Sequence, residues 1–250
     1  MGKYFTVEVK PTIPNVAAGQ HAAFSANDVV FDWYAFDIPK GTSRLIGATI
    51  ETRPKGDAGA TVNEFDIDLL FAKTVNGNAP TSLGTVNSAP TANVNSSNQM
   101  VGFLDNSAFA GHEAHLDSTA FCQIKQTLST LPVFTGEPDS GTNVGYDRFY
   151  IAGIAHGAFD FTSGVLINEG TLDGSEFTVD GVDPRLFMAV GDVIAATTTA
   201  NNAVSKALGT IASMGDANTI TLTAATNEAP VDGDIIYNTT PMRFQLHFEK

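Results

Sequence analysis

The sequence predicts an all-β protein made of two bodies, a larger β-domain and a small β-barrel inserted just before its last strand. Apolar and polar residues alternate in several short runs, the pattern of half-buried strands. No apolar spacing of helical period persists beyond about two turns, so no major helix is expected. Residues 187–238 alternate short β-type runs with Gly, Asp and Asn turns, and one more strand, residues 242–248, follows them.

The first body begins with a strand of alternating residues, Phe5 to Val9. Pro11 and Pro14 end this strand because proline cannot donate to a β-ladder. Residues 15–27 are small and polar and are predicted to form a loop or an arm. Residues 74–99 are dominated by Asn, Ser, Thr, Pro and Gly, which predicts a long surface excursion or a mobile loop.

The same pattern places the other strands of the first body. Residues 28–38 are apolar on both faces, which indicates a strand that is central or that meets a neighbouring subunit. The cleanest alternation spans residues 65–71, where four apolar residues point one way and Asp66 and Asp68 the other. Further strands are expected at residues 43–52, 119–124, 131–134 and 146–154, and a short helix at residues 106–116.

The barrel is predicted from Val165 onward, and residues 187–238 look complete in themselves. The predicted domains are therefore residues 1–162 with 239–250, and residues 163–238. The closing strand is expected beside the strand at residues 146–154, from which the barrel departs. The strand centres of the second body are residues 176–179, 193–194, 203–208, 211–213, 219–223 and 235–237, with turns at residues 191–192, 215–218 and 232–234.

Charge and composition exclude several classes of protein. The net charge is −14, from 13 Lys and Arg against 27 Asp and Glu, so binding of nucleic acid over a broad face is disfavoured. No apolar run approaches the roughly 18–20 residues that span a bilayer, and the N-terminus has no signal-peptide pattern. Cys122, the single cysteine, cannot form an internal disulfide, which favours synthesis and folding in a cytosol.

Two groups of residues invite a catalytic or metal-binding interpretation. The run from His112 through Glu113 to His115 offers two imidazoles and a carboxylate, but a helical zinc-protease motif needs histidines four apart, so a polar turn is the favoured interpretation. Asp66 and Asp68 share one strand face, as a glycosidase pair or a calcium site would. The solvent side of an amphipathic strand explains them better.

Other candidates are equally well explained by structure. Residues 180–183 and 232–234 resemble fragments of calcium loops but lack the twelve-residue pattern, so turn chemistry is favoured. Cys122 has no activating neighbours and is predicted to be a buried thiol. Trp33 and Tyr34 would stack on a sugar, although aromatic strand residues usually belong to a core. We therefore assign no catalytic residue, no cofactor and no metal ligand.

The second body resembles the small β-modules of tailed-phage virion proteins. The first body, with its alternating strands and Asn/Ser/Thr-rich excursion, looks like the jelly-roll part of head decoration (cement) proteins. The segments that carry the first resemblance are residues 179–187, 190–194, 209–211, 220–223 and 234–238.

This resemblance implies a jelly-roll-like β-sandwich and a decoration protein on the outer surface of the capsid. Such a protein is made in the host cytoplasm and stabilises the head at junctions between major capsid proteins, usually as a trimer. It is not an enzyme and binds neither nucleic acid nor membrane. The long spine helix of a tailed-phage major capsid protein is absent from the sequence. Two alternatives stay open: a tail, fibre or baseplate component that binds host glycans, and a carbohydrate-active enzyme.

Overall fold

The fold is known from a computed structural model, which describes most of the chain. For residues 113–115, 123–126 and 201–204 it describes the backbone alone. The described residues are 3–13, 23–53, 66–91, 98–105, 113–115, 123–126, 132–137, 144–159, 161, 165–168, 174–198, 201–226, 228 and 230–250.

This part of the chain holds sixteen strands, and a 3-10 helix, Pro184–Leu186, follows the eleventh. In chain order the strands are β1 (Tyr4–Val9), β2 (Val29–Pro39), β3 (Thr42–Thr52), β4 (Ile67–Lys73), β5 (Met100–Leu104), β6 (Glu113–His115), β7 (Gln123–Gln126), β8 (Val133–Thr135), β9 (Tyr146–Ala155), β10 (Val165–Ile167), β11 (Glu176–Gly181), β12 (Val193–Thr198), β13 (Asn201–Asp216), β14 (Thr219–Leu222), β15 (Ile235–Asn238) and β16 (Met242–Glu249).

Two antiparallel sheets face each other as a sandwich. The first sheet has the strand order β1-β16-β3-β7-β6, and β8 also pairs with β3. The second sheet has the order β2-β9-β4-β5. The alternation predicted for β4 is present, because Ile67, Leu69 and Phe71 are fully buried while Asp66 and Asp68 are half-buried. Phe65 lies outside the described residues.

The sandwich core is centred on Phe134 of the short strand β8. Its ring meets those of Phe149, Phe248 and Phe71 at centroid distances of 5.0, 5.3 and 5.4 Å, each time edge to face. Each such aromatic pair adds about 0.5–1.5 kcal/mol beyond the burial of apolar area. Phe149 and Phe71 belong to the second sheet and Phe248 to the first, so Phe134 links the two layers.

Strand β2 does not keep the simple alternation that its sequence suggests. Its register against β9 shifts twice, between Val29 and Phe31 and between Phe31 and Tyr34. Each shift places an extra residue on β2 and reverses which face the following side chains occupy. As a result Phe31 and Phe36, which the alternation puts on opposite faces, are both buried in the same core cluster.

Two segments predicted as loops contribute to the packing. Phe24, in the predicted arm, is fully buried against Phe159 at a ring-centroid distance of 5.1 Å. Within residues 74–91, Leu83 is buried with Val29, Ala152 and Ile154. That segment lies over the outer face of the second sheet, so it is a fixed excursion over the residues described.

The closing strand corrects one prediction. Strand β16 pairs with β1 and β3 in the first sheet and not with β9, which belongs to the second sheet. Met242, Phe244, Leu246 and Phe248 are fully buried on its inner face. The pairing with β9 was wrong because β2 and β4 already occupy both edges of β9.

The barrel is a closed sheet with the order β10-β11-β14-β13-β12-β15 and its own apolar core. Residues 187–238 are therefore not complete in themselves, because β10 and β11 close the barrel. The strands predicted at residues 203–208 and 211–213 are parts of the single long strand β13. Gly209, with φ of +123°, lets this strand bend beside a register shift against β12.

The predicted fold class is confirmed: the protein is all-β, with a jelly-roll-like sandwich and a small barrel inserted before the last strand. The domain boundaries stay a prediction. The short helix predicted at residues 106–116 is wrong for residues 113–115, which form β6 and pair with β7. A three-residue segment beside an open strand edge gains ladder hydrogen bonds that an isolated helical turn would lack.

Candidate functional site

The described part of the histidine motif is an extended strand and not the turn or helix that its sequence suggests. Glu113 and His115 lie in β6, an extended strand, and His112 lies outside the described residues. Within the described part of the chain, no three His, Cys, Asp or Glu side chains gather as a metal site would require.

Asp66, just before β4, and Asp68 within it both contact a histidine. The Asp68 carboxylate lies 3.2 Å from Nδ1 of His156, and the backbone carbonyl of Asp66 accepts a hydrogen bond of 2.8 Å from the His156 N–H. Both aspartates are half-buried and stand on the outer side of the second sheet. This arrangement ties β4 to the segment after β9 and matches the amphipathic-strand interpretation.

The calcium-loop fragments are turns closed by their own side chains. The Asp183 carboxylate caps the 3-10 helix by accepting from the Arg185 N–H at 3.0 Å, and it pairs with the Arg185 guanidinium at 2.7 Å. The hydrogen bond from the Arg185 side chain is the main cause that lowers the pKa of Asp183. Asp234 accepts from the Val231 N–H at 2.9 Å and pairs with Lys206 at 2.8 Å. Both aspartates therefore serve turns.

The aromatic pair of β2 has mixed surroundings. Trp33 is half-buried, and its Nε1 donates a hydrogen bond of 2.9 Å to the carbonyl of Thr81, so it holds residues 74–91 against the sheet. Tyr34 is 40% exposed. Among the residues described, Trp33 and Tyr34 therefore do not form a platform of two exposed rings on which a sugar could stack. Cys122 lies outside the described residues.

A cavity of about 90 Å³ lies where the sandwich meets the barrel. Arg53, at the end of β3, pairs with Asp192 of the barrel at 2.9 Å between Nη2 and Oδ1. Arg243 of β16 pairs with Glu51 and, at 3.4 Å, with Glu8. The charged groups named here are thus engaged with one another, and the pair of Arg53 and Asp192 joins the two bodies.

The end of the sandwich away from the barrel has a different character, and we call it the distal pole. It consists of the start of β1, the turn from β2 to β3, the end of β4, the residues that follow β8, the start of β9 and the end of β16. Three large apolar side chains are exposed there, Tyr4 at 66%, Val144 at 67% and Tyr146 at 59%. Solvent-exposed aromatic side chains grouped on one surface are typical of protein contact sites.

Backbone and side-chain hydrogen bonds make the distal pole one continuous surface. Lys3 and Lys250 exchange backbone hydrogen bonds of 3.3 and 3.0 Å, and the Lys250 ammonium donates to the carbonyl of Lys40 at 2.5 Å. The Lys40 N–H in turn donates to the carbonyl of Gly145 at 3.2 Å. Tyr4 and Tyr146 belong to different sheets, so the sequence alone gives no signal that they share a surface.

Comparisons with known proteins add little. No known protein family matches the chain, and no curated protein matches it. Among solved structures, the chain has a likeness to the "Structure of infectious bursal disease virus Gx strain", at 9% sequence identity and a TM-score of 0.17. The match covers 99% of this chain and 40% of that chain, so the chain spans less than half of its length. A likeness at this level supports no functional conclusion.

In the part of the chain that the structure describes, no helix combines the length and apolar character needed to cross a membrane.

Proposed function

We propose that the chain is a structural protein of a tailed-phage virion, a head decoration protein that binds the outer capsid surface at junctions between major capsid proteins. The observation that carries the proposal is the combination of a pole with exposed apolar side chains, Tyr4, Val144 and Tyr146, and an acidic barrel at the other end of the sandwich. The first feature provides contact area. The second disfavours the interior of the head, because carboxylates repel packaged nucleic acid.

The proposed role is mechanical and not enzymatic. The polar candidates described above are occupied in turns, caps and ion pairs, which suits a rigid building block. A protein that binds across a junction between subunits adds buried area where internal pressure pulls those subunits apart. The three-fold positions of a capsid favour a trimeric arrangement of such a protein, in line with the resemblance of its sequence to cement proteins.

Purified protein added to expanded empty capsids of the phage that encodes it tests the proposal. We expect saturable binding and a higher temperature of capsid rupture, both absent for unexpanded capsids. Gold-labelled protein located by negative stain distinguishes the tail alternative, since label on the tail or baseplate would replace the head assignment. Absence of binding to every capsid form would overturn the proposal.

A further inference from the structure

The charge of the protein is divided unevenly between its two bodies. Residues 163–238 contain ten Asp and Glu against Arg185 and Lys206, a net charge of −8. The remaining residues, more than twice as many, contain 17 acidic and 11 basic side chains, a net charge of −6. The barrel is therefore the part of the molecule that an acidic surface repels most strongly.

The distal pole has the opposite sign. Six of the 13 basic side chains stand there, against four carboxylates among the described residues. Among the described residues, the pole thus carries two more basic than acidic side chains, on a molecule of charge −14. The basic residues are Lys3, Lys40, Arg44, Lys73, Arg148 and Lys250, and the acidic residues are Asp37, Glu137, Asp147 and Glu249.

Each of the four carboxylates is already engaged within the pole. Asp37 receives two hydrogen bonds from the Arg148 guanidinium, at 2.8 and 3.0 Å. Buried Asp147 pairs with the Lys40 ammonium at 2.9 Å. Their contacts leave little negative charge facing outward.

Of the other two carboxylates, one forms an ion pair and one accepts from backbone N–H groups. Glu249 pairs with Arg44 at 2.8 Å and accepts from the Tyr4 hydroxyl at 3.3 Å. Glu137 accepts from the backbone N–H groups of Asn76 and Gly77. These contacts of Glu137 and that of the exposed Lys250 ammonium are with neutral backbone groups, so they cancel no charge.

We propose that the distal pole is the docking surface of the protein and that its partner presents an acidic protein surface on the assembled head, so that the barrel projects away from the capsid. The inference rests on the proposed function and adds an orientation and a partner chemistry to it. Tyr and Arg, the residue types that dominate binding energy at interfaces, are both present at the pole. Electrostatic complementarity raises the rate of association and orients the complex, which on this molecule favours approach by the pole.

Matched variants test the orientation on expanded empty capsids of the parent phage. Val144→Ser at the pole is paired with Val190→Ser in a barrel turn, since the two valines are 67% and 64% exposed. Lys3→Glu at the pole is paired with Lys10→Glu at the opposite end of β1, since both change the net charge equally. Unaltered Trp33 fluorescence and thermal midpoints establish that each variant is folded.

We expect Val144→Ser and Lys3→Glu each to weaken capsid binding by about fivefold or more. The matched controls, Val190→Ser and Lys10→Glu, should keep an affinity within about twofold of the wild type. Wild-type affinity should fall as the salt concentration rises, because screening weakens contacts between exposed charges. If the wild type binds and the two barrel-side variants lose as much affinity as the pole variants, the orientation is wrong while the proposed function stands. If the wild type binds no capsid, the proposed function fails and the orientation fails with it.

Self-association is a separate outcome that would also overturn the inference. A second copy could offer its acidic barrel to the pole, which would give head-to-tail contacts between copies. Sedimentation velocity of the free protein at low salt detects this. Oligomers that Val144→Ser and Lys3→Glu dissolve would show that the pole binds another copy and not the head.

Discussion

Arg53 and Asp192 join the sandwich to the barrel through an ion pair of 2.9 Å, and Asp192 also closes its own turn by accepting from the Ala189 N–H at 2.9 Å. The Asp192 side chain is only 12% exposed, so it depends on these two partners. One carboxylate therefore shapes a barrel turn and fixes that turn against the end of β3.

Replacing Arg53 by Ala should loosen the barrel from the sandwich. The half-buried Asp192 carboxylate then loses a charged donor, which costs about 1–3 kcal/mol. Differential scanning calorimetry should show a lower first transition and a wider separation between barrel and sandwich unfolding. A single transition at the wild-type temperature would contradict the bracing role.

Two control variants distinguish loss of the ion pair between Arg53 and Asp192 from loss of a charge elsewhere. Asp192→Asn keeps an acceptor for the Ala189 N–H but removes the ion pair, so it should reproduce the Arg53→Ala effect without loosening the turn. Arg44→Ala removes a pair in which the arginine is 60% exposed, and exposed pairs are worth at most about 1 kcal/mol.

The strands were predictable where their signal is local. The alternation of apolar and polar residues in β4 and β16 predicts both the strand and its buried face, because adjacent side chains point to opposite sides of a sheet. The register shifts in β2 cannot be predicted from the residues of β2 alone, since they depend on how that strand pairs with β9. The partner of β16 was wrong for the same reason, because pairing is decided by which edges remain open.

The candidate site could be predicted only in part. The sequence gives the acidic charge of the barrel and the lack of a catalytic motif. The distal pole is assembled by topology, which places Tyr4 of one sheet and Tyr146 of the other at the same end of the sandwich, linked by the hydrogen bonds of Lys40 and Lys250. The alternation of β1 puts Tyr4 on the polar face of that strand, whereas Tyr146 lies in no pattern that marks it as exposed.

Gly153 is a position where a side chain has no room. A Cβ there would press into the ring of Phe31 and come within 2.8 Å of Ile67 Cδ1, both fully buried. Gly153→Ala should therefore destabilise the sandwich by about 1–3 kcal/mol through overpacking. Urea unfolding followed by Trp33 fluorescence measures this, and Gly47→Ala in the same sandwich, whose added carbon meets its nearest atom, His247 Cδ2, at 3.5 Å, is the matched control. Equal midpoints for the two variants would refute the packing.

Glu137 should make stability depend on pH in the acid range. Burial acts to raise its pKa, but hydrogen bonds from the Gly77 and Asn76 N–H groups and from Thr74, with the charge of Lys73, hold the pKa below its ordinary value of 4.5. A lowered folded-state pKa means that the ionised form stabilises the fold above pH 4.5, and that this contribution is lost as the pH falls through the folded pKa.

Urea midpoints of the wild type and Glu137→Gln from pH 7 to pH 3 provide the measurement. The wild type should be the more stable at pH 7, and the difference between the two urea midpoints should shrink only below pH 4.5. A gap that is constant over this range would show that the difference does not arise from ionisation.

Lys206 should be essential to the barrel because its partner is buried. The Asp234 side chain is 3% exposed, and its Oδ2 accepts both the Lys206 ammonium at 2.8 Å and the Val231 N–H at 2.9 Å. Lys206→Met leaves a buried carboxylate without its counter-charge, a change that costs about 3–5 kcal/mol in buried pairs. Adding Asp234→Asn removes the uncompensated charge while keeping the acceptor for the Val231 N–H, so the double variant should recover much of the lost stability.

Because Trp33 lies in the sandwich, its fluorescence should report little of this change, whereas far-ultraviolet circular dichroism should follow the unfolding of the barrel. A double variant no more stable than Lys206→Met would mean that the lysine acts by packing and not by charge.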